Sequence, residues 1–306
     1  MKHTKNIVML FLTAIIWGFA FCAQSAAMDS IEPLAFNMLR SILGGLVLIP
    51  VILFLDKLKS QKDKEIEKSY RRKDLLIGGL CCGVALGTAS AMQQIGIKYT
   101  TVGKAGFITA CYIILVPIFG IFLKKRCSFF VWISIVIAVA GLYLLCMNES
   151  FSIAKGDLFV IACAFLFTFQ ILFIDHFAPK CDCVRLACIQ FFVAGILSLV
   201  GMFFLEEMPK LSQINEALIP ILYAGIMSSG VAYTLQMVGQ KNFNPTIASL
   251  IMSLESTFAA IGGWLLLHQK LTARELCGCA LMFVAIMLSQ VPDASFCKAK
   301  RRKAES

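Results

Sequence analysis

Two ionisable side chains stand inside otherwise apolar stretches of the chain: Arg40 in NMLRSILGG and Glu255 in LIMSLESTF. Almost every other charged residue falls in a polar link or at the edge of such a stretch. A charge at the centre of a bilayer costs about 2.5 to 3.5 kcal/mol on insertion scales, so each must face protein or a water-filled cavity. Arg40 has a stem long enough to snorkel outward, and pairing within a helix bundle explains it as well as contact with a substrate does. Glu255 is too short to snorkel. It stays charged there only if Arg40 or a substrate cation holds it, which suits a substrate-binding or proton-relay carboxyl; the plain alternative is a hydrogen bond to a neighbouring helix. Uncharged polar and aromatic residues at similar depth, namely Asn37, Gln93, Gln94, Tyr112, Gln190, Tyr233 and Gln236 with Trp17 and Trp264, suit the wall of a moderately polar pathway.

Other chemistries find little support. The histidines His3, His176 and His268 are scattered, and no Gly-rich phosphate loop or Walker pattern is present to drive an ATP-powered pump. Most cysteines, such as Cys82, Cys163 and Cys188, lie in apolar runs, where cysteine acts as a small hydrophobe. The polar cluster HFAPKCDC, with His176, Cys181, Asp182 and Cys183, lacks the paired C-x2-C spacing of a structural zinc site. Neither an enzyme, a metal nor a cofactor is expected.

The elements that position Arg40 and Glu255 follow from composition. The chain has 306 residues, 59% of them hydrophobic, against about 45 to 50% for a soluble domain. The excess falls in ten runs, at 6–28, 33–55, 75–97, 102–123, 128–147, 157–178, 184–205, 217–240, 244–267 and 273–291. Each approaches the ~20 residues needed to cross a membrane as a helix. The first run, preceded by Lys2 and Lys5, also fits a signal peptide, but its length and the runs that follow favour a retained helix. Of the 28 Lys and Arg, 21 fall on the side of the N-terminus, six on the other, and Arg40 lies within a run. That bias places both termini in the cytoplasm of a multi-pass protein of the cell membrane. It also accounts for the net charge of +10 through an anionic lipid surface, with no nucleic-acid partner. The segment DKLKSQKDKEIEKSYRRKD reads as a solvated loop or an amphipathic surface helix.

The chain also repeats itself. QQIGIK at 93–98 returns as QMVGQK at 236–241, with Gly87 and Gly230 each six residues before the first Gln. Residues 1–148 and 149–291 then each hold five runs, followed by a basic tail at 292–306. An odd number of helices per repeat makes the second copy start on the opposite side of the membrane. The expected architecture is therefore all-α, ten transmembrane helices as two inverted five-helix repeats, a design that lets one half rock against the other. Glycines such as Gly79, Gly83 and Gly87 allow close helix contact. Glu255 overlies Tyr112 at an offset of 143, although Pro117 fits better over Ser256 at 139, and Pro117 is expected to kink the fourth run.

WGFAF at 17–21, FNMLR ending in Arg40, QQIGIKYTTVGKAGFIT, YIILVP ending in Pro117 and SLESTFAAIGGWLLL at 253–267 together resemble the EamA-type ten-helix members of the drug/metabolite transporter superfamily. The resemblance covers nearly the whole chain. It implies a carrier with a central cavity lined largely by the third, fourth, eighth and ninth runs, often exporting amino acids or other metabolites. Two positions depart from the family pattern: His268-Gln269 replaces a Gly-Glu, and Ser256 replaces a proline, which would straighten the ninth run. The expected function is a secondary transporter of a small organic solute, acting by alternating access with Glu255, Arg40 and the polar residues above along its path. Protons are a possible second cargo. The competing readings are a channel and a non-transporting sensor or lipid-handling protein, and the oligomeric state is open.

Overall fold

A computed structural model of the chain describes residues 2–59, 70–100, 102–123, 125, 128–146, 155–267 and 272–289. The 60–69 part of the basic link, His268-Gln269 and the tail at 292–306 lie outside them. The described residues are helical almost throughout, joined by short links. They form α1 (Lys2–Ala27), α2 (Pro33–Leu58), α3 (Arg72–Tyr99), α4 (Val102–Ala110), α5 (Tyr112–Phe122), α6 (Phe129–Cys146), α7 (Lys155–Phe177) and α8 (Cys183–Leu205). The short α9 (Leu211–Glu216) and α10 (Leu218–Leu222) lead into a π-helical segment, Tyr223–Ala232, followed by α11 (Tyr233–Gln240), α12 (Pro245–Met252), α13 (Glu255–Leu267) and α14 (Ala273–Ser289). Among the described residues, eight helical stretches are long and apolar enough to cross a membrane. Phe129–Leu145 is a shorter apolar helix.

Local chemistry sets the helix starts. Pro33 opens α2, its missing N–H being no loss at a first helical position. The Asp182 side chain accepts from the amides of Val184 and Arg185 at the head of α8, and Asn244 does the same for Thr246 and Ile247 ahead of Pro245 in α12. Asp182, part of the HFAPKCDC cluster, is thus an N-cap. The neighbouring Cys183 thiol is buried and donates to the carbonyls of Ala178 and Met237.

Two helices are interrupted at corresponding places. The first breaks at Cys111, between α4 and α5, and the second at Ser253 and Leu254, between α12 and α13. Tyr112 and Glu255 each open the piece that follows, so the breaks obey the offset of 143 and not that of 139. Pro117 does not cause the first break, since it lies within α5 and well after it. Nor does Ser256 straighten the second. At each break a side chain bonds back to its own helix, Cys111 Sγ to Phe107 O and Ser253 Oγ to Leu250 O at 2.7 Å, as Ser90 and Thr168 also do within unbroken helices.

Packing mixes the two halves of the sequence. The helix α3 lies against α7 and α8, while α1 lies against α11, α12 and α13, and α6 packs on α14. Glycines permit the closest approaches. A Cβ on Gly83 would come within 2.8 Å of the Gln190 carbonyl oxygen, and one on Gly87 within 2.9 Å of Ala194 Cα. Gly230 differs from its counterpart Gly87: a Cβ there would meet Val47 at an ordinary 3.5 Å. The close approach in the second half falls instead at Gly225, where a Cβ would lie 2.6 Å from Leu43 Cδ2.

Candidate functional site

The interrupted helices, the π-helical segment, α1, α2, α3 and α7 line one small cavity. Its wall includes Trp17 and Gln24 from α1, Arg40 from α2, Gln93 from α3, Thr109 and Tyr112 at the first break, and Phe167 and Gln170 from α7. Ser228, Tyr233 and Gln236 come from the π segment and α11, and Met252 and Glu255 from the second break. Helices α1 and α7 thus contribute more than the family resemblance implied. The space measures about 30 Å³, room for about two water molecules at roughly 10 to 15 Å³ each, and is too small here for an organic solute.

Arg40 does not snorkel. It is 5% exposed, with Nε donating to Asn37 Oδ1 at 2.8 Å and Nη1 to Gln24 Oε1 at 3.2 Å. Both acceptors are neutral, and no ion pair of Arg40 occurs among the described residues. Glu255, also 5% exposed, has its Oε1 accepting from the Tyr112 hydroxyl at 3.1 Å. A guanidinium and a carboxyl therefore share one small cavity without engaging each other. Around them, Gln170 Nε2 donates to Gln190 Oε1 and Gln236 Oε1, Gln236 Nε2 donates back to Gln170 Oε1, and Gln93 donates to Thr109 Oγ1. The Trp17 and Tyr233 rings lie 4.6 Å apart, and the buried Trp17 Nε1 has no partner among the described residues.

Seven of the eleven candidates, namely Glu255, Arg40, Tyr112, Gln93, Gln236, Tyr233 and Trp17, meet at this wall. Asn37 and Gln94 stand behind it instead. Asn37 orients Arg40 and donates to Ser198 Oγ at 2.8 Å, while Gln94 donates to the Gln24 carbonyl. Gln190 likewise backs Gln170. Trp264 is a correction: it is 52% exposed on the outside of the bundle, where a lipid-facing aromatic is at home. Gln24, Thr109, Gln170 and Ser228 escaped the sequence reading, each marked only by one or two polar residues in an apolar run.

The sequence profile of the EamA-like transporter family matches residues 4–147 and again 154–290. An uncharacterized transporter of Archaeoglobus fulgidus is 29% identical, covering 91% of this chain and 83% of that one. An S-adenosylmethionine/S-adenosylhomocysteine transporter of Chlamydia muridarum is 23% identical, covering 86% and 85%. A protein of known crystal structure superposes with a TM-score of 0.76 at 16% identity, covering 94% of this chain and 96% of its own. That last likeness concerns the fold alone. With transporter relatives along its length and apolar helices throughout, the chain is a multi-pass membrane protein and belongs to the EamA-like transporter family, within the drug/metabolite transporter superfamily.

Proposed function

We propose that this protein is a secondary carrier whose solute bears both an acidic and a basic group, and that it moves this solute by alternating access, in the direction of export. The observation that carries the reading is the pair of Arg40 and Glu255, buried on one cavity wall and not bound to each other. A guanidinium held only by neutral acceptors retains its full attraction for a carboxylate. Glu255, held by one phenol, is free to take a cationic group or a proton in turn, and that competition would couple solute to protons. The name of the Chlamydia relative supports such a solute class, since S-adenosylmethionine carries both kinds of group.

Ten membrane helices in two inverted five-helix repeats, at 1–148 and 149–291, supply the symmetry that alternating access needs. The paired helix breaks support this arrangement, as does the way Arg40 on Gln24 is echoed by Gln190 on Gln170. The interleaved packing favours motion between two mixed groups, α1 with α11 to α13 and α3 with α4, α5 and α7, over the rocking of one sequence half against the other. In the bundle, Lys98 lies at the Glu32 end and Lys241 at the Tyr70 end. With both termini cytoplasmic in the cell membrane, a membrane-impermeant thiol reagent should label Lys98→Cys from outside and Lys241→Cys only from the cytoplasm, in a background cleared of native cysteines. Labelling of both from one side would overturn the inverted topology.

The carrier reading is tested by counterflow in proteoliposomes, using a panel of radiolabelled amino acids and S-adenosylmethionine. At least one should show saturable uptake stimulated by the same unlabelled compound inside. Flux that is linear in concentration and indifferent to internal solute would indicate a channel. No flux for any zwitterion, with flux for a purely anionic or neutral solute, would overturn the role given to the charged pair.

A further inference from the structure

The helices α2 and α8 run side by side and are fastened at both ends. At one end Arg185 Nη2 lies 2.7 Å from Asp56 Oδ2, and Lys59 Nζ bridges Asp56 Oδ1 at 2.7 Å and Asp182 Oδ2 at 3.2 Å. At the other end the bond is to backbone: Glu206, the residue that ends α8, accepts from the Leu34 amide at 2.8 Å and the Ala35 amide at 3.0 Å. The head of α2 needs this, because the Glu32 side chain makes no capping bond and Pro33 has no N–H. A carboxylate far away in sequence thus does the work of an N-cap. Overlaying α2 on α8 at Arg40 and Gln190 puts Asp56 on Glu206, so corresponding positions hold the two ends.

This seam also divides the groups that would have to part. The helix α2 packs chiefly on the π segment and α8 chiefly on α3, with smaller contacts of α2 on α3 and of α8 on α11, so separating the groups at either end includes separating α2 from α8 there. We propose that the two ends of the α2–α8 seam are latches that release in turn to open the central cavity, and that protonation of Glu206 releases the latch it makes. This rests on the carrier reading given above. A protonated carboxyl has a single carbonyl oxygen to offer and no negative charge, so it loses one of the two amides and its attraction to the positive end of α2.

Protons can reach the group. A cleft of about 350 Å³ lined by Glu32, Glu206, Glu207 and Lys210 opens beside it. The charged neighbours are Glu32 and Lys98, paired with each other at 2.5 Å, together with Glu207 and Lys210 in the cleft wall. Burial raises the Glu206 carboxyl above its ordinary value; the two amides oppose this, Glu32 adds to it and Lys98 opposes it. A carboxyl that gives up the two amides while it stays in these surroundings loses their downward pull and holds its proton more tightly than the latched one, so acid favours the released form and the latch weakens as pH falls.

Hydrogen exchange by mass spectrometry on the full-length protein in lipid nanodiscs tests this without any transport assay. Exchange of a peptide covering residues 33–38, corrected for the intrinsic pH dependence, should rise roughly tenfold between pH 7.5 and pH 5 in the wild type. In Glu206→Gln it should already be raised at pH 7.5 and show no further change. Glu32→Gln, which leaves both amide bonds in place, should keep the response but move it to lower pH. A peptide covering 183–188, at the other end, should stay unchanged across this range in all three proteins. Equal protection of 33–38 in wild type and Glu206→Gln, or a pH response surviving in Glu206→Gln, would overturn the proposal. A failure of counterflow with this exchange pattern intact would count against the carrier reading alone.

Discussion

Proteoliposomes containing Glu255→Gln are expected to show no acceleration of solute movement by an imposed pH gradient, with counterflow at least about tenfold weaker than wild type. Glutamine keeps the size of the side chain and the acceptor for the Tyr112 hydroxyl. It removes the one property argued for Glu255, the ability to hold either a proton or a cation. A hydrogen bond to a charged group contributes about 1.5 to 3 kcal/mol, and 1.4 kcal/mol is roughly tenfold in affinity, which sets the lower bound. Arg40→Gln should weaken binding at the other end of the solute by a similar factor while leaving the pH response of any residual flux in place. The two variants thus separate coupling from binding. Should Glu255→Gln respond to the gradient like wild type, the carboxyl is structural and the proton has another route.

The second large effect concerns folding. Gly18→Ala should lower stability by about 2 to 3 kcal/mol or more, seen as a fall in melting temperature in detergent and loss of a monodisperse peak in size-exclusion chromatography. A Cβ at Gly18 would lie 2.4 Å from Phe258 Cβ, 2.7 Å from the Phe258 carbonyl carbon and 2.8 Å from the Ala259 nitrogen. Two of these atoms are backbone, so no rotamer relieves the contact and α1 must move away from α13. The comparison is Gly230→Ala, where the nearest atom is at 3.5 Å and a change within about 0.5 kcal/mol is expected. Similar melting for both would mean that the α1–α13 contact is looser than its geometry.

Much of this was legible in the chain. Length and hydropathy mark the membrane class, and the isolated charges Arg40 and Glu255 mark the depth of the cavity, because only a polar surrounding tolerates them. What hydropathy does not carry is the direction a residue faces. Runs such as FFVWISIVIAVAGLYLLC are apolar all round, so no periodic stripe distinguishes the lipid side from the interior. This is why Trp264 and Trp17 read alike in sequence yet sit on opposite sides of the wall, and why Gln24 and Gln170 passed unnoticed. The interruptions were hidden for another reason. Proline was the visible signal, whereas the breaks fall at a cysteine and a serine whose bonds back to their own helix also occur at Ser90 and Thr168 without any break. The π-helical stretch leaves no comparable trace, since YAGIMSSGVA contains small residues that suit several backbone forms.

The interleaving of the two halves has a consequence for how the protein is made. Asn6 Nδ2 donates to the Gly239 carbonyl at 2.6 Å and Thr13 Oγ1 to the Ala232 carbonyl at 3.1 Å, so α1 is bonded to residues more than 200 positions later in the chain. At roughly 5 to 20 residues per second, translation delivers those partners on the order of ten to fifty seconds after α1 leaves the ribosome. For that interval α1 waits in the bilayer with Thr13 and the glycine face around Gly18 uncovered. The bonds and close contacts that seat α1 are therefore among the last to form.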